Sequence, residues 1–182
     1  MRKFIARCVL RGLSKRYGYD TSYAEAMLNE APVAFFKLAP LMKAANHRKG
    51  VPVEASFAAK LTGALAEDCG PCTQLCADMA LEAGVAKDQI EAVLGRNVNK
   101  AMTPSVALGF QFADAIVRHL PDDETWREAV RARWGDKGVI DLAIALQIGR
   151  LFPMMKLALG YAKECRRVSV DGHQVDVIKQ AA

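Results

Sequence analysis

Three cysteines, Cys69, Cys72 and Cys76, stand in the run EDCGPCTQLC over residues 67–76. The first two form a Cys-x-x-Cys pair with a Gly-Pro centre. That spacing lets two thiols meet across one helical turn and close a small, reducible ring. Cys76 follows Cys72 by four residues, so a helix puts all three sulfurs on one stripe. Dithiol–disulfide exchange is the chemistry these residues suit. Metal binding is the rival, but structural zinc wants four ligands, and Cys8, Cys165, His47, His119 and His173 are scattered along the chain. An iron–sulfur cluster held by three cysteines and a distant fourth is the other metal option. No metal and no cofactor is expected. Cys8 and Cys165 are read as small buried apolar residues, and the same bland role is open to the other three.

Pro71 is tolerated in a first helical turn, which puts Cys69 and Cys72 at a helix N-terminus. Backbone N–H groups and the helix dipole favour a thiolate there. Glu67 and Asp68 oppose it by like charge, and one of them, Glu67 above all, is a candidate proton acceptor. A thioredoxin assignment fails on context, because that motif follows a β-strand. The residues before this one, ASFAAKLTGALA over residues 55–66, are helix formers.

The elements that must position these thiols read as helical nearly throughout. Cap candidates Asp20, Thr21 and Ser22 precede a helix, Pro32 opens another and Pro40 divides it. Residues 46–50 form a polar loop, and Pro52 begins the helix that leads to the cysteines. Residues 72–83 continue as a helix closed by Gly84, followed by a short helix over 87–94 that Gly95 ends. Thr103 and Pro104 open a helix to about residue 119. Asp122 opens one to Trp134, Gly135 and Gly138 flank a turn, and residues 139–163 form the longest apolar run, interrupted by Pro153. Residues 168–177 alternate around Asp171-Gly172, a β-hairpin signal. The expectation is one all-α domain over residues 1–182, with a small C-terminal β-hairpin.

Composition is that of a globular protein, 52% apolar and 25% charged. A net charge of +5 without an aromatic-interleaved basic stripe argues against nucleic acid. Five sparse cysteines point to a reducing cytoplasm rather than a stapled secreted scaffold. Arg7 and Arg11 break the first apolar stretch, which is too short for a signal or a membrane span. Residues 2–16 form a basic amphipathic helix whose apolar face serves either the core or a membrane surface. The three histidines are expected in exposed or capping positions, and Met154 and Met155 as core filler beside Phe152.

The chain resembles the alkylhydroperoxidase D-like, or carboxymuconolactone decarboxylase-like, superfamily. The residues that carry the resemblance are Cys69-Gly-Pro-Cys72, the stretch ALEAGVAKDQIEAVL over residues 80–94 and GDKGVIDLAIAL over residues 135–146. It covers about residues 30–165, with an N-terminal helical extension over 1–29 and a tail over 166–182. The resemblance implies a helical fold, homo-oligomers (dimers, trimers or hexamers) and a Cys pair that cycles through a disulfide while reducing peroxides. It implies a long helix opened by an acidic residue, here Asp141. Redox members carry a His four residues after the second cysteine and a Glu about a dozen before the first, as a proton relay. Here Cys76 stands at the His position, and Ser56 or Phe57 near the Glu position, with Glu54 one turn earlier. The expected function is a thiol oxidoreductase acting on a peroxide or a partner disulfide. Electrons come from a thiol protein or small thiol, since no nucleotide fingerprint is present. A non-catalytic helical oligomer with regulatory or vestigial cysteines is the alternative.

Overall fold

A computed structural model describes residues 1–98, 102–162 and 167–177. The chain is mostly helical, with a small C-terminal antiparallel hairpin. In order come α1 (Arg2–Tyr17), α2 (Ser22–Glu30), α3 (Pro32–Leu38), α4 (Leu41–Ala44), α5 (Val53–Ala66), α6 (Gly70–Glu82), α7 (Lys87–Leu94), α8 (Pro104–Val117) and α9 (Asp123–Ala158), then β1 (Arg167–Val170) and β2 (His173–Asp176). Cys165 lies outside the described residues.

The centre is α5, buried on nearly every side from Ala55 to Leu65 and packed against α6, α8 and α9. Small residues let these backbones come close. A methyl group at Gly109 of α8 would overlap the Ala55 carbonyl, and one at Gly149 of α9 the Lys60 carbonyl. On one side of α5 lies a cluster containing Leu61, Ile90, Leu94 and Phe110, and on another a cluster of Phe112, Val130, Leu142 and Leu146. A third, with Leu10, Tyr19, Tyr23 and Leu28, encloses Cys69 and Cys72.

Helix punctuation follows the sequence closely. Pro32 opens α3 and Pro40 separates it from α4. The Thr103 hydroxyl accepts from the Val106 N–H to cap α8. Residues 122–158 differ from expectation. They form one helical element kinked at Gly135 (φ 69°, ψ −175°), which runs straight through Pro153 and stops at Ala158. Gly138 lies inside the helix rather than flanking a turn, and Asp141 lies well past the start. Instead of opening the helix, the Asp141 carboxylate accepts N–H bonds from Lys49 (2.7 Å), Gly50 (2.5 Å) and Val51 (3.3 Å), with His47 Nε2 3.3 Å away. His47 is therefore a partner to a buried acid. Among the described residues, α9 is the one helix long and apolar enough to cross a membrane by length and composition. Here it packs along α5 and α8.

An isolated hairpin is marginal, and this one is anchored. Val168 and Val170 are buried in the core beside α6 and α7. The Gln74 amide bonds both the N–H and the C=O of Ser169, each at 2.7 Å. On α1, Ala6, Leu10, Leu13 and Tyr17 meet the core. That register turns Phe4, Ile5, Cys8 and Val9 outward, so Cys8 is exposed, contrary to expectation. Met154 is likewise exposed on the outer face of α9, while Phe152 and Met155 pack beside the cysteines.

Candidate functional site

Local backbone geometry brings the thiols together. After α5, Asp68 takes a left-handed conformation (φ 46°) that turns the chain back on itself. Cys69 is then extended as the N-cap of α6, followed by Gly70 and Pro71 in the first turn, where a missing N–H is harmless. The Cys69 carbonyl accepts from the N–H groups of Cys72 (3.1 Å) and Thr73 (2.9 Å) and from the Thr73 hydroxyl (3.1 Å). The two sulfurs are left 2.8 Å apart, both as free thiols. A disulfide needs them about 2.05 Å apart, a sub-ångström approach.

Burial distinguishes the pair. Cys69 is fully enclosed (0% exposed) and Cys72 is 6% exposed, so the pair is not at an exposed helix mouth. Cys72 instead faces a partly open cavity of about 260 Å³, and Cys76 lines the same cavity. Leu13, Met42, Leu75, Met79, Ile148 and Phe152 give it apolar walls, and Asn46, Lys60, Tyr19 and Tyr23 bring polar groups to it. A larger groove of about 690 Å³ runs along the outside of α9 and contains no cysteine.

The Tyr19 hydroxyl lies 3.4 Å from the Cys72 sulfur. Its ring stands edge to face with Tyr23, centroids 6.5 Å apart. Behind both rings sits Lys156, 1% exposed, with its ammonium 4.3 Å from the Tyr19 centroid and 5.3 Å from that of Tyr23. It also donates to the Asp20 carbonyl at 3.3 Å. Across the cavity, Lys60 donates to the Ala45 carbonyl at 2.7 Å and lies over the Phe57 ring at 4.4 Å.

These surroundings set the protonation states. The hydrogen bond shared with Cys69, and then burial, push the Cys72 thiol well above its ordinary value; Tyr19 and Lys156 work the other way. Burial pushes Cys76 up to about 12, against the Lys60 charge. Burial also drives both tyrosines up, Tyr23 to about 12, so both are neutral hydroxyls at physiological pH. Lys60 is depressed by burial and Arg48, with Cys76 opposing. At rest the Cys72 and Cys76 groups are thus protonated thiols. A lone helix N-terminus does not outweigh the removal of water.

Of the residues singled out from sequence, Cys69 and Cys72 come together at the start of α6, while Cys76 packs in another core cluster and shares only the cavity with Cys72. Glu67 has another partner: its carboxylate accepts from Arg150 Nε at 2.5 Å. Besides Cys69, the group within hydrogen-bond reach of Cys72 is Tyr19, which sequence reasoning missed, along with Lys60 and Lys156. Both lysines carried a signal. Each is a lone cation in an otherwise apolar helical stretch, and such a residue is seldom buried without a purpose. Among the described residues, no cluster of three or more His, Cys, Asp or Glu is disposed to hold a metal ion. No family model, curated protein or solved structure matches the chain.

Proposed function

We propose that the protein is a cytoplasmic thiol oxidoreductase of the alkylhydroperoxidase D-like type, acting on a small peroxide. One observation carries the reading: two sulfurs 2.8 Å apart at a helix start, of which Cys72 lines a cavity and Cys69 lies sealed behind it. In this scheme the Cys72 thiolate attacks a peroxide oxygen, breaking the O–O bond. An alcohol or water leaves, and Cys72 becomes a sulfenic acid. The Cys69 thiol then condenses with it, releasing water and closing the disulfide. A thiol protein or small thiol returns two electrons by exchange. The cavity favours a small substrate over a partner protein's disulfide, since only a small molecule fits against Cys72.

Tyr19 is suited to donate to the Cys72 thiolate, and Lys156 supplies positive charge behind it. They stand in for the His and Glu that the resemblance calls for and this chain lacks. As in the family it resembles, the chain is expected to form homo-oligomers, and a strictly monomeric species in solution would refute that.

The test is a thiol count before and after one equivalent of peroxide. Two thiols should disappear per chain. Cys72→Ser should abolish peroxide consumption, and Cys69→Ser should accumulate a sulfenic acid that dimedone traps. The raised Cys72 thiol favours a second reading, a non-catalytic helical scaffold with a vestigial pair. Unchanged thiol counts and unchanged turnover in both variants would establish that reading instead.

A further inference from the structure

Lys60 sits in the middle of α5, the most enclosed helix of the protein, and is only 8% exposed. Lysine almost never takes such a place without an anionic partner. Here the ammonium has the Ala45 carbonyl and the face of Phe57, and no carboxylate within ion-pair distance among the described residues. Two buried or half-buried acids of the neighbouring segments have other partners: Glu67 pairs with Arg150, and Asp141 with His47 and the backbone of residues 49–51. One hydrogen bond leaves the ammonium with further donors, and Lys60 lines the cavity together with its acceptor Ala45.

Among the described residues, no carboxylate and no cation other than Lys60 lines that cavity. Its apolar walls match a hydrocarbon body, and its one lining cation has no anion facing it. A buried cation in this setting is destabilising until a counter-ion arrives, which fits the depressed Lys60 pKa. The volume, about 260 Å³, is room for a small molecule.

We infer that this cavity binds a small apolar carboxylic acid, its carboxylate paired with the Lys60 ammonium and its hydrocarbon body between α6 and α9. The inference deepens the proposed function, because it makes the small substrate an anionic one whose far end lies against Cys72. As a binding claim it stands apart from the redox chemistry.

Isothermal titration of octanoate, octanol and octylamine, three ligands with the same chain and different heads, tests it. The titrations use the full chain as Cys72→Ser, so that no thiol chemistry contributes, and Cys72→Ser with Lys60→Met or Lys60→Arg. Octanoate should bind at least tenfold more tightly than octanol, and octylamine should bind most weakly. In Lys60→Met the octanoate preference should fall to within twofold while octanol binding persists, and Lys60→Arg should restore the preference. Equal affinities for octanoate and octanol with Lys60 present overturn the inference. So does a preference that survives in Lys60→Met. If Lys60→Met fails to fold, the comparison with Lys60 present and the Lys60→Arg variant decide. Failure of Cys72→Ser to affect peroxide turnover would defeat the redox reading and leave this result standing.

Discussion

The Tyr19 hydroxyl lies 3.4 Å from the Cys72 sulfur, although 53 residues separate them in sequence. Both groups are buried, and the contact joins the loop between α1 and α2 to the first turn of α6. It is the closest polar support that Cys72 receives apart from Cys69.

Removing that hydroxyl should make Cys72 less reactive. A donor to the thiolate lowers the thiol pKa, and Tyr19 acts in that direction. In Tyr19→Phe the thiol must therefore ionise at still higher pH. A hydrogen bond to a charged group contributes about 1.5–3 kcal/mol, so alkylation at fixed pH should slow by roughly 10- to 100-fold. Iodoacetamide rates followed from pH 6 to 10, in a chain lacking Cys8, Cys76 and Cys165, measure the shift. An unchanged profile would show that the hydroxyl does not support the thiolate.

Lys156→Met should shift the same profile for a different reason. The Lys156 charge favours the Cys72 thiolate from behind the tyrosine rings. Methionine keeps the apolar stem and removes the charge, so alkylation should slow by several-fold while the fold survives. Combining it with Tyr19→Phe should give less than the sum of the two effects, because the lysine acts partly by holding the Tyr19 ring. Strict additivity in a double-mutant cycle would place the lysine and the tyrosine in separate roles.

The helices were legible because their punctuation is local. Pro32, Pro40, Pro104, Gly84 and Gly95 act within a turn or two of chain, and each stands where its chemistry says it should. The thiol pair was legible for the same reason, since its spacing is set inside one turn. Tyr19, Lys60 and Lys156 were not, because their roles arise only when α1, α5, α6 and α9 pack together. Cys8 misled because α1 has apolar residues on two faces, and only tertiary packing selects Leu10 and Leu13 over Phe4 and Val9. Pro153 misled because a proline removes one helical bond without ending a helix held on its buried side by α5. Glu67 was adjacent in sequence to Cys69, yet adjacency says nothing about direction, and Arg150 holds it elsewhere.

Gly149 should tolerate no side chain. A methyl there would overlap the Lys60 carbonyl, a backbone atom that cannot swing aside. Gly149→Ala should push α9 away from α5 and destabilise the protein by roughly 1–3 kcal/mol, the usual effect of overpacking. Because Gly149 and Lys60 both line the cavity, octanoate affinity should change with it. Urea unfolding reads the first effect and calorimetric titration the second. Wild-type stability in Gly149→Ala would mean that the helices are not in close contact.

Asp141 should make stability depend on pH in the acid range. Burial acts to raise this carboxyl, but N–H bonds from Gly50, Lys49 and Val51, with His47 beside it, hold it below its ordinary value. A group depressed on folding adds stability that is fully present above its unfolded pKa, about 3.9, and is lost as pH falls through the folded one. The wild type should therefore keep this contribution at pH 7 and lose it progressively below about pH 4. Asp141→Asn keeps the shape, removes the charge and presents an N–H₂ that cannot accept. Its deficit at pH 7 should be about 2–4 kcal/mol, since charged hydrogen bonds contribute roughly 1.5–3 kcal/mol and their effects overlap. At pH 3 the gap between variant and wild type should narrow, because protonation has weakened the same bonds in the wild type. Guanidinium unfolding at the two pH values checks both statements. A deficit that is constant with pH would mean that the carboxylate charge is not what fastens residues 47–51 to α9.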